Sequence, residues 1–271
     1  VILARNAGDF HPHVSAFQPY NGLPQDSTIS EFIAPISLKE GDLIFSGRLS
    51  GGSINQTDDQ FVATISKTEE LDLIIKEGDL IEGQNLLLTL DLLPPIPQKR
   101  GILVLGSLGN DLALISASGG RPPKVLAREN QTLVTHEQDY SITKLHAESL
   151  ISEGNQAVLL ATLRATDSED EISALLQLGS GTIRPLVIEG HKINRSEESF
   201  IVSEIHFRPS GAQGSGLKNN DLRLKVSSSA GASLIIGIPD IDDLDQDGFS
   251  DTLESAFGNS ILEPNASIPP G

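Results

Sequence analysis

One short pattern returns along this chain, and an internal repeat restricts the fold more than any single motif does. An aliphatic run passes through Ala or Ile to a charged residue, then to Glu, Gly or Asn and a polar turn. It reads Val1-Ile2-Leu3-Ala4-Arg5-Asn6-Ala7-Gly8-Asp9, then Leu73-Ile74-Ile75-Lys76-Glu77-Gly78-Asp79. It returns as Val125-Leu126-Ala127-Arg128-Glu129-Asn130, as Leu186-Val187-Ile188-Glu189-Gly190-His191, and weakly as Leu234-Ile235-Ile236-Gly237-Ile238. Anchored on Ala4, Ile75, Ala127, Ile188 and Ile236, the copies stand 71, 52, 61 and 48 residues apart. No strands of its own unit precede the first copy, and the sequence contains no Met. The chain is therefore expected to begin inside a repeat and to be a piece of a longer or processed protein.

Three further apolar segments accompany the closing motif. The first of each unit covers Ile29–Ile36, Leu86–Leu93, Tyr140–Leu150 and Phe200–Phe207. The second covers Gly41–Leu49, Gly101–Leu108, Ala157–Leu163 and Asp221–Val226. The third covers Phe61–Ile65, Leu112–Ile115 and Ile172–Leu178, and the last unit turns directly through Ser229 to Ala232 without one. These runs are short, rich in Val, Ile and Leu, and bounded by Gly, Asn, Asp and Pro, which is how strands are punctuated. The closing segments are continuously apolar, so they are expected to be covered on both faces. Gly8, Gly78, Asn130 and Gly190 follow them, where a positive φ comes easily. His146 to Ser152 is the most helix-like stretch, and it is brief.

About four strands in each unit of roughly 50–70 residues predicts an all-β fold, a propeller-like array over residues 1–239. A β-sandwich is the alternative; it explains short strands but not the near-regular return of the closing motif.

Closing strands such as Leu126-Ala127-Arg128-Glu129 and Ile75-Lys76-Glu77-Gly78-Asp79, each following a strand like Ile44-Phe45-Ser46-Gly47-Arg48, resemble a family of bacterial exported repeat proteins. The likeness covers roughly residues 1–239. It implies a propeller-like fold, export and a place at the cell surface, and it carries no activity with it. The chain departs from the pattern in its third copy, with Glu189 where Arg or Lys is usual, and its fourth unit is degenerate.

Beyond Pro239 the composition changes. From Val226 to Gly271 there is no Lys, Arg or His, and eight acids lie there, out of a formal net charge of −18 for the chain. Within this stretch runs Asp243-Leu244-Asp245-Gln246-Asp247-Gly248-Phe249-Ser250-Asp251-Thr252-Leu253-Glu254. Acids at positions 1, 3, 5, 9 and 12 with Gly at 6 form the twelve-residue calcium-loop register. A hard cation takes six to eight oxygens. Asp243, Asp245 and Asp247 would point inward, Gly248 would permit the sharp turn, and the Phe249 carbonyl would give a backbone oxygen. Asp251 would act directly or through water, and Glu254 would close the site with both oxygens. Without a cation, each pair of these carboxylates at about 4 Å repels by on the order of 1 kcal/mol even in bulk water.

Ser250 stands where a paired EF-hand has an aliphatic residue, and Gly237-Ile238-Pro239-Asp240 reads as strand and turn rather than as an entering helix. With Ser255-Ala256-Phe257-Gly258-Asn259 after it, the segment 240–258 resembles the thrombospondin type-3 calcium motif at the ends of bacterial surface proteins. Residues 259–271 read as a flexible tail. A dockerin-like docking module is an alternative that needs a second loop beyond the chain end.

The remaining candidates are weak. The acidic balance speaks against nucleic acid and anionic membranes as partners. No run is long enough to be a transmembrane segment, and with no Cys there are no disulfides or thiolate sites. His11 and His13 lack an evident third metal ligand. Ser141-Ile142-Thr143-Lys144 matches a Ser-x-x-Lys nucleophile without its companion motifs. Gly211 to Gly216 is Gly-rich, but no Gly-Lys-Ser/Thr follows. Asp167 to Glu171 is acidic but out of calcium register. With two Tyr and no Trp, a sugar-stacking platform is disfavoured. The sequence thus reads as a non-enzymatic, exported interaction scaffold for a protein or glycan ligand, with one Ca2+ site. A propeller-type polysaccharide-active enzyme is the rival reading.

Overall fold

The structure, a computed structural model, describes residues 2–6, 9–33, 37–39, 42–55, 58–66, 70–98, 101–135, 138–153, 156–179, 182–194, 199–207, 216–218 and 221–238. Within them the chain is all-β and has no α-helix. The helix-like stretch after His146 is a 3-10 turn, Ala147–Ser149. Contacts divide the chain into two compact units, Val1–Val125 and Leu126–Gly271.

The strands fall in chain order into successive antiparallel sheets. A hairpin of β1 (Ile2–Asn6) and β2 (Asp9–Val14) comes first. The next sheet holds β3 (Ser27–Phe32), β4 (Ser37–Lys39), β5 (Asp42–Gly51), β6 (Gln60–Ile65) and β7 (Leu71–Lys76). Its successor holds β8 (Leu80–Ile81), β9 (Gln84–Leu88), β10 (Ile96–Gln98), β11 (Gly101–Leu108), β12 (Asp111–Ser118) and β13 (Arg121–Arg128).

In the second unit, β14 (Thr132–Leu133), β15 (Tyr140–Leu145), β16 (Ile151–Glu153), β17 (Gln156–Ala165), β18 (Glu171–Gly179) and β19 (Thr182–Ile188) form one sheet. A small hairpin of β20 (Lys192–Asn194) and β21 (Ser199–Ile201) leads into the last sheet. That sheet holds β22 (Glu204–His206), β23 (Gly216–Lys218), β24 (Asp221–Ser227) and β25 (Ser233–Ile238).

One plan underlies four of these sheets. A long strand carries on one edge a first strand broken in two. On β5, the partner β3 takes Gly47 to Gly51 and β4 takes Asp42 to Ile44. The same split joins β9 and β10 to β11, β15 and β16 to β17, and β22 and β23 to β24. The bulges recur as well. Ser30 is the extra residue opposite the Arg48–Leu49 step and Thr143 opposite the Thr162–Leu163 step. Each hydroxyl donates across the ladder, to the Arg48 carbonyl at 3.2 Å and the Thr162 carbonyl at 3.3 Å. Ile74 and Leu186 are the extra residues of the two closing strands β7 and β19. A bulge turns the following side chains to the other face.

This alignment corrects the sequence reading in two places. The bulge sets Glu189 at the position of Glu77, not at that of Lys76, so the third copy of the closing motif shifts by one residue. And β25 pairs directly with the long strand β24, so Leu234 to Ile238 occupy the third strand's place rather than the closing one. The expected two-sided burial also falls elsewhere. The closing strands β7 and β13 keep exposed residues, whereas the interior strands β11 and β18 are the continuously buried ones. An edge strand has a hydrogen-bonded neighbour on one side only; an interior strand is flanked on both sides.

Apolar faces hold the sheets together. In the first unit, Ile44, Val62 and Ile75 of one sheet pack with Leu86, Ile102, Val104 and Ile115 of the next. On the opposite face, Leu43, Phe45, Phe61, Ala63 and Ile65 pack with Val14 and Ile29. Alternate residues of β5 and β6 thus serve opposite faces, the two-residue period of a strand. In the second unit, Val158, Leu175, Leu186 and Val187 meet Val202, Ile205, Leu222, Leu224 and Val226. The long strand carries a small residue where it faces the end of the first strand: Gly47 opposite Phe32, Gly106 opposite Leu88, Ala161 opposite Leu145. A Cβ on Gly47 would come within 2.3 Å of the Glu31 carbonyl oxygen and 3.1 Å of the Phe61 ring.

Two substitutions test this packing. Phe61 is fully buried and meets Phe45 edge-on at 5.8 Å. Phe61→Ala is expected to destabilise the first unit by about 3–5 kcal/mol. Gly47→Ala is expected to cost about 1–3 kcal/mol through overpacking. Denaturant unfolding of the intact chain measures both.

Candidate functional site

The residues expected to hold calcium, Asp243, Asp245, Asp247, Phe249, Asp251 and Glu254, lie outside the described residues. So do Gly211 to Ser215. His11 and His13 fall in β2, described by its backbone pairing alone. Ser141 and Lys144 lie in β15, paired with Arg164 and Thr162 on either side of the Thr143 bulge rather than at a strand-to-helix turn. The acidic run from Asp167 to Glu171 forms an exposed loop tied to its own surroundings. Gln138 Nε2 donates to Asp167 Oδ1, and Arg164 Nη2 lies 2.9 Å from Glu171 Oε1. That arginine's hydrogen bond holds the Glu171 carboxyl below the usual glutamate range. Among the described residues there is no group of three or more His, Asp or Glu arranged to hold a metal ion.

What the folded chain assembles instead is a repeated joint at the closing turns. Lys76–Asp79, Arg128–Gln131 and Ile188–His191 are four-residue turns closed by an amide-to-carbonyl bond between their ends. Their third residues have φ of 79° at Gly78, 62° at Asn130 and 91° at Gly190, the conformation that favours Gly and Asn. Expectation and structure agree at these three positions; Gly8 lies outside the described residues. The third residue's amide then donates to the coming first strand: Gly78 to the Leu86 carbonyl (2.9 Å), Asn130 to Ile142 (2.7 Å), Gly190 to Val202 (2.7 Å). Leu86, Ile142 and Val202 return a bond to Asp79, Gln131 and His191.

The second residue of each turn is a glutamate, and its carboxylate finishes the joint. Glu77 N donates to the Gln60 carbonyl, and Gln60 N donates back to Glu77 Oε2 at 3.1 Å. Glu189 and Ser173 repeat the exchange, with Ser173 N 3.0 Å from Glu189 Oε2. In a plain ladder that amide would meet a main-chain carbonyl. Here the chain is turning away, and the carboxylate takes the carbonyl's place. The other oxygen reaches the next first strand: Leu88 N lies 3.1 Å from Glu77 Oε1 and Leu145 N 3.2 Å from Glu129 Oε1. The closing motif displayed these glutamates in the sequence. Their role was hidden, because their partners lie 11 to 17 residues away.

Around Glu77 the joint gains charge. Arg48 Nη1 holds Asp59 at 2.9 and 3.0 Å, and Arg48 Nε lies 3.6 Å from Glu31. The Asp59 hydrogen bond raises the Arg48 guanidinium further above its usual range. Glu77 is only 4% exposed. Burial pushes its carboxyl up, the two backbone donors pull it down, and the neighbouring Asp59 raises it again. Thr162 occupies the position equivalent to Arg48 in the later sheet, whereas the glutamate is common to all three turns.

Two histidines also meet hydroxyls at the end of the first strand. His146 Nε2 lies 2.9 Å from Thr162 Oγ1, with Glu148 Oε1 3.5 Å from Nδ1. His206 Nε2 lies 2.9 Å from Ser227 Oγ, with Glu204 on the same nitrogen at 3.4 Å. A carboxylate–imidazole–hydroxyl line is how nucleophiles are activated. Yet Thr162 sits inside a ladder, paired on both sides, and the Glu148 side chain is 81% exposed. At His206 the carboxylate and hydroxyl share one nitrogen, so no relay crosses the ring. The common effect of the two pairs is to tie the first strand to the long one.

Compared with known protein families, with characterised proteins and with solved structures, the chain matches none. Its fold defines it as an all-β protein of serially repeated antiparallel sheets. Among the described residues no helix is long and apolar enough to cross a membrane.

Two arginine pairs should separate by burial. Arg164–Glu171 is half exposed on both sides, so Arg164→Ala is expected to leave stability nearly unchanged. Asp59 is only 13% exposed beside Arg48, so Arg48→Ala is expected to cost about 1–3 kcal/mol by leaving Asp59 unpaired next to Glu77. Parallel denaturant titrations compare them.

Proposed function

We propose that this chain is part of an exported or cell-surface repeat protein that acts as an interaction scaffold for a protein or glycan ligand. Its segment 240–258 binds one calcium ion. The observation that carries this reading is the register of Asp243, Asp245, Asp247, Gly248, Asp251 and Glu254. Oxygen donors at positions 1, 3, 5, 9 and 12 around a glycine at 6 match the demands of a hard cation, and a solvated acidic linker has no need of that spacing. The Phe249 carbonyl completes the donor set. Serial sheets built on one plan support the scaffold part, since repeat arrays present extended surfaces.

An affinity of about 10⁻⁴–10⁻³ M would serve, as in other extracellular modules. At ten times the dissociation constant, binding adds about 1.4 kcal/mol, enough to order a short segment and too little to fold the sheets. The calcium site is thus a local stiffener.

Calcium titration with limited proteolysis between Asp240 and Gly258 tests the reading. Calcium is expected to protect this segment, chelator to restore cleavage, and Asp243→Ala/Asp247→Ala to abolish the protection while leaving sheet unfolding unchanged. Equal cleavage with and without calcium would remove the site.

A further inference from the structure

Among the described residues the last sheet stops one strand short of the plan. Three other sheets set a closing strand, β7, β13 or β19, against the third strand. The described strand β25 pairs with β24 alone, and its outer edge is open. The register of that edge is fixed by the bulge hydroxyls. Ser203 Oγ donates to the Ser227 carbonyl at 2.9 Å, as Ser30 does to Arg48 and Thr143 to Thr162. Ser227 therefore takes the place of Arg48 and Thr162, and its partner Ser233 takes the place of Gln60 and Ser173. The amides of Gln60 and Ser173 are the ones that a closing-turn glutamate binds. Ser228 N donates to the Ala232 carbonyl, so Ala232 faces β24. By the two-residue period, the amides of Ser233 and Ile235 face the open edge.

This edge has the character of an inner strand. Val62 and Leu175 hold the place of Ile235, and both are fully buried, whereas Ile235 is 64% exposed. The closing strands carry the charges and prolines that discourage further pairing: Asp72 and Lys76 on β7, Pro122, Pro123 and Lys124 on β13, Pro185 on β19. The run from Ser233 to Ile238 has neither.

Further along the sequence an aliphatic pair again precedes a glutamate, in Ile261-Leu262-Glu263, the order of Val187-Ile188-Glu189. These three residues lie outside the described ones. Setting Glu263 against Ser233, as Glu189 stands against Ser173, puts Leu262 opposite Leu234 and Ile261 opposite Ile235. The equivalent pairs are Ala174 with Ile188 and Leu175 with Val187 in one sheet, and Val62 with Ile75 in another. An antiparallel strand starts beside the end of β25 and returns across one strand spacing, about 4.8 Å, which residues 239–259 span with ease. Pro264 follows where the other turns have Gly78, Asn130 and Gly190. It has no N–H, so this turn would close its own sheet without the amide that the other joints pass on.

We propose that residues 260–263 are the closing strand of the last sheet, with the Glu263 carboxylate accepting the Ser233 amide. The acidic segment is then the connection between third and closing strands, and the tail begins after the strand rather than before it. Main-chain pairing holds the strand with or without an ion, so the proposal does not rest on the calcium reading.

The intact chain has no Cys, so paired substitutions report proximity directly. Ile235→Cys/Ile261→Cys is expected to form an intrachain disulfide on mild oxidation, in calcium and in chelator alike. Ile235→Cys/Ile268→Cys is expected to form one at least about tenfold more slowly, as its two ends are not held together. In the unsubstituted chain, the Ser233 and Ile235 amides are expected to exchange at least about tenfold more slowly than unpaired amides, and Glu263→Ala to remove the protection of Ser233. Equal cross-linking at 261 and 268, or free exchange at Ile235, overturns the strand. Cross-links between chains, with protection that rises with protein concentration, place a second copy on the edge and overturn it too. Protection of Ser233 that survives Glu263→Ala overturns the role of Glu263. Cross-linking at 261 while calcium leaves 240–258 open to protease supports the strand and sinks the ion site alone.

Discussion

The fold depends on what happens when a sheet ends. A four-stranded antiparallel sheet has apolar faces that it cannot cover alone, so the next sheet must arrive in a fixed register above it. The closing turn sets that register. Its Gly or Asn aims one amide at the coming strand, that strand's amide answers, and the turn's glutamate binds the amides that neither ladder satisfies. An unsatisfied buried amide costs about 1–3 kcal/mol, so a slipped register would lose several bonds at once. Hydrophobic contact is non-directional and tolerates sliding; the hydrogen bonds of the joint do not. Burial brings the sheets together, and the joint decides how they meet.

The same division explains the broken first strand. Its first half pairs with the far end of the long strand and is fixed by the joint. Its second half pairs with the near end, after a connection whose length and content differ from sheet to sheet: Leu90 to Pro95 in one, the 3-10 turn at Ala147–Ser149 in another. The hydroxyls of Ser30 and Thr143 hold the bulge just before the break. The closing turn and its glutamate recur on the joint side of the break, the second half-strand recurs beyond it, and the connection between the halves is what varies. Repeat proteins commonly place variation on one side in this way, because the conserved side carries the stacking.

Much of this was legible in the chain. The strand runs, their number per unit and the positive-φ turn residues follow from local patterns, and Gly78, Asn130 and Gly190 behave as their positions imply. What escaped the sequence depends on pairing. A bulge such as that at Leu186 is invisible until the partner strand is known, and only when it is matched with the bulge at Ile74 does Glu189 fall in the place of Glu77. The two-sided burial of β11 and β18 rather than of the closing strands depends on sheet order, which hydrophobicity does not encode. The calcium register is legible for the opposite reason: its ligands lie within twelve consecutive residues, so spacing alone carries the chemistry. A ligand surface on the sheets has no such local record.

The charge of the chain divides along the same line. In the sheets, carboxylates are used one at a time and satisfied by main-chain amides or arginine, as Glu77, Glu129, Glu189 and Asp59 show. Such groups have their partners within the fold. Between Asp240 and Glu254, by contrast, seven acids fall within fifteen residues with no base among them. Neither arginine nor lysine is at hand locally to neutralise them. The two regions thus answer the same electrostatic problem differently, the first by satisfying its buried carboxylates within the fold and the second, on the proposed reading, by recruiting a cation. Calcium removal is accordingly expected to act on the acidic segment, where the carboxylates have no partner of opposite charge in the adjoining sequence.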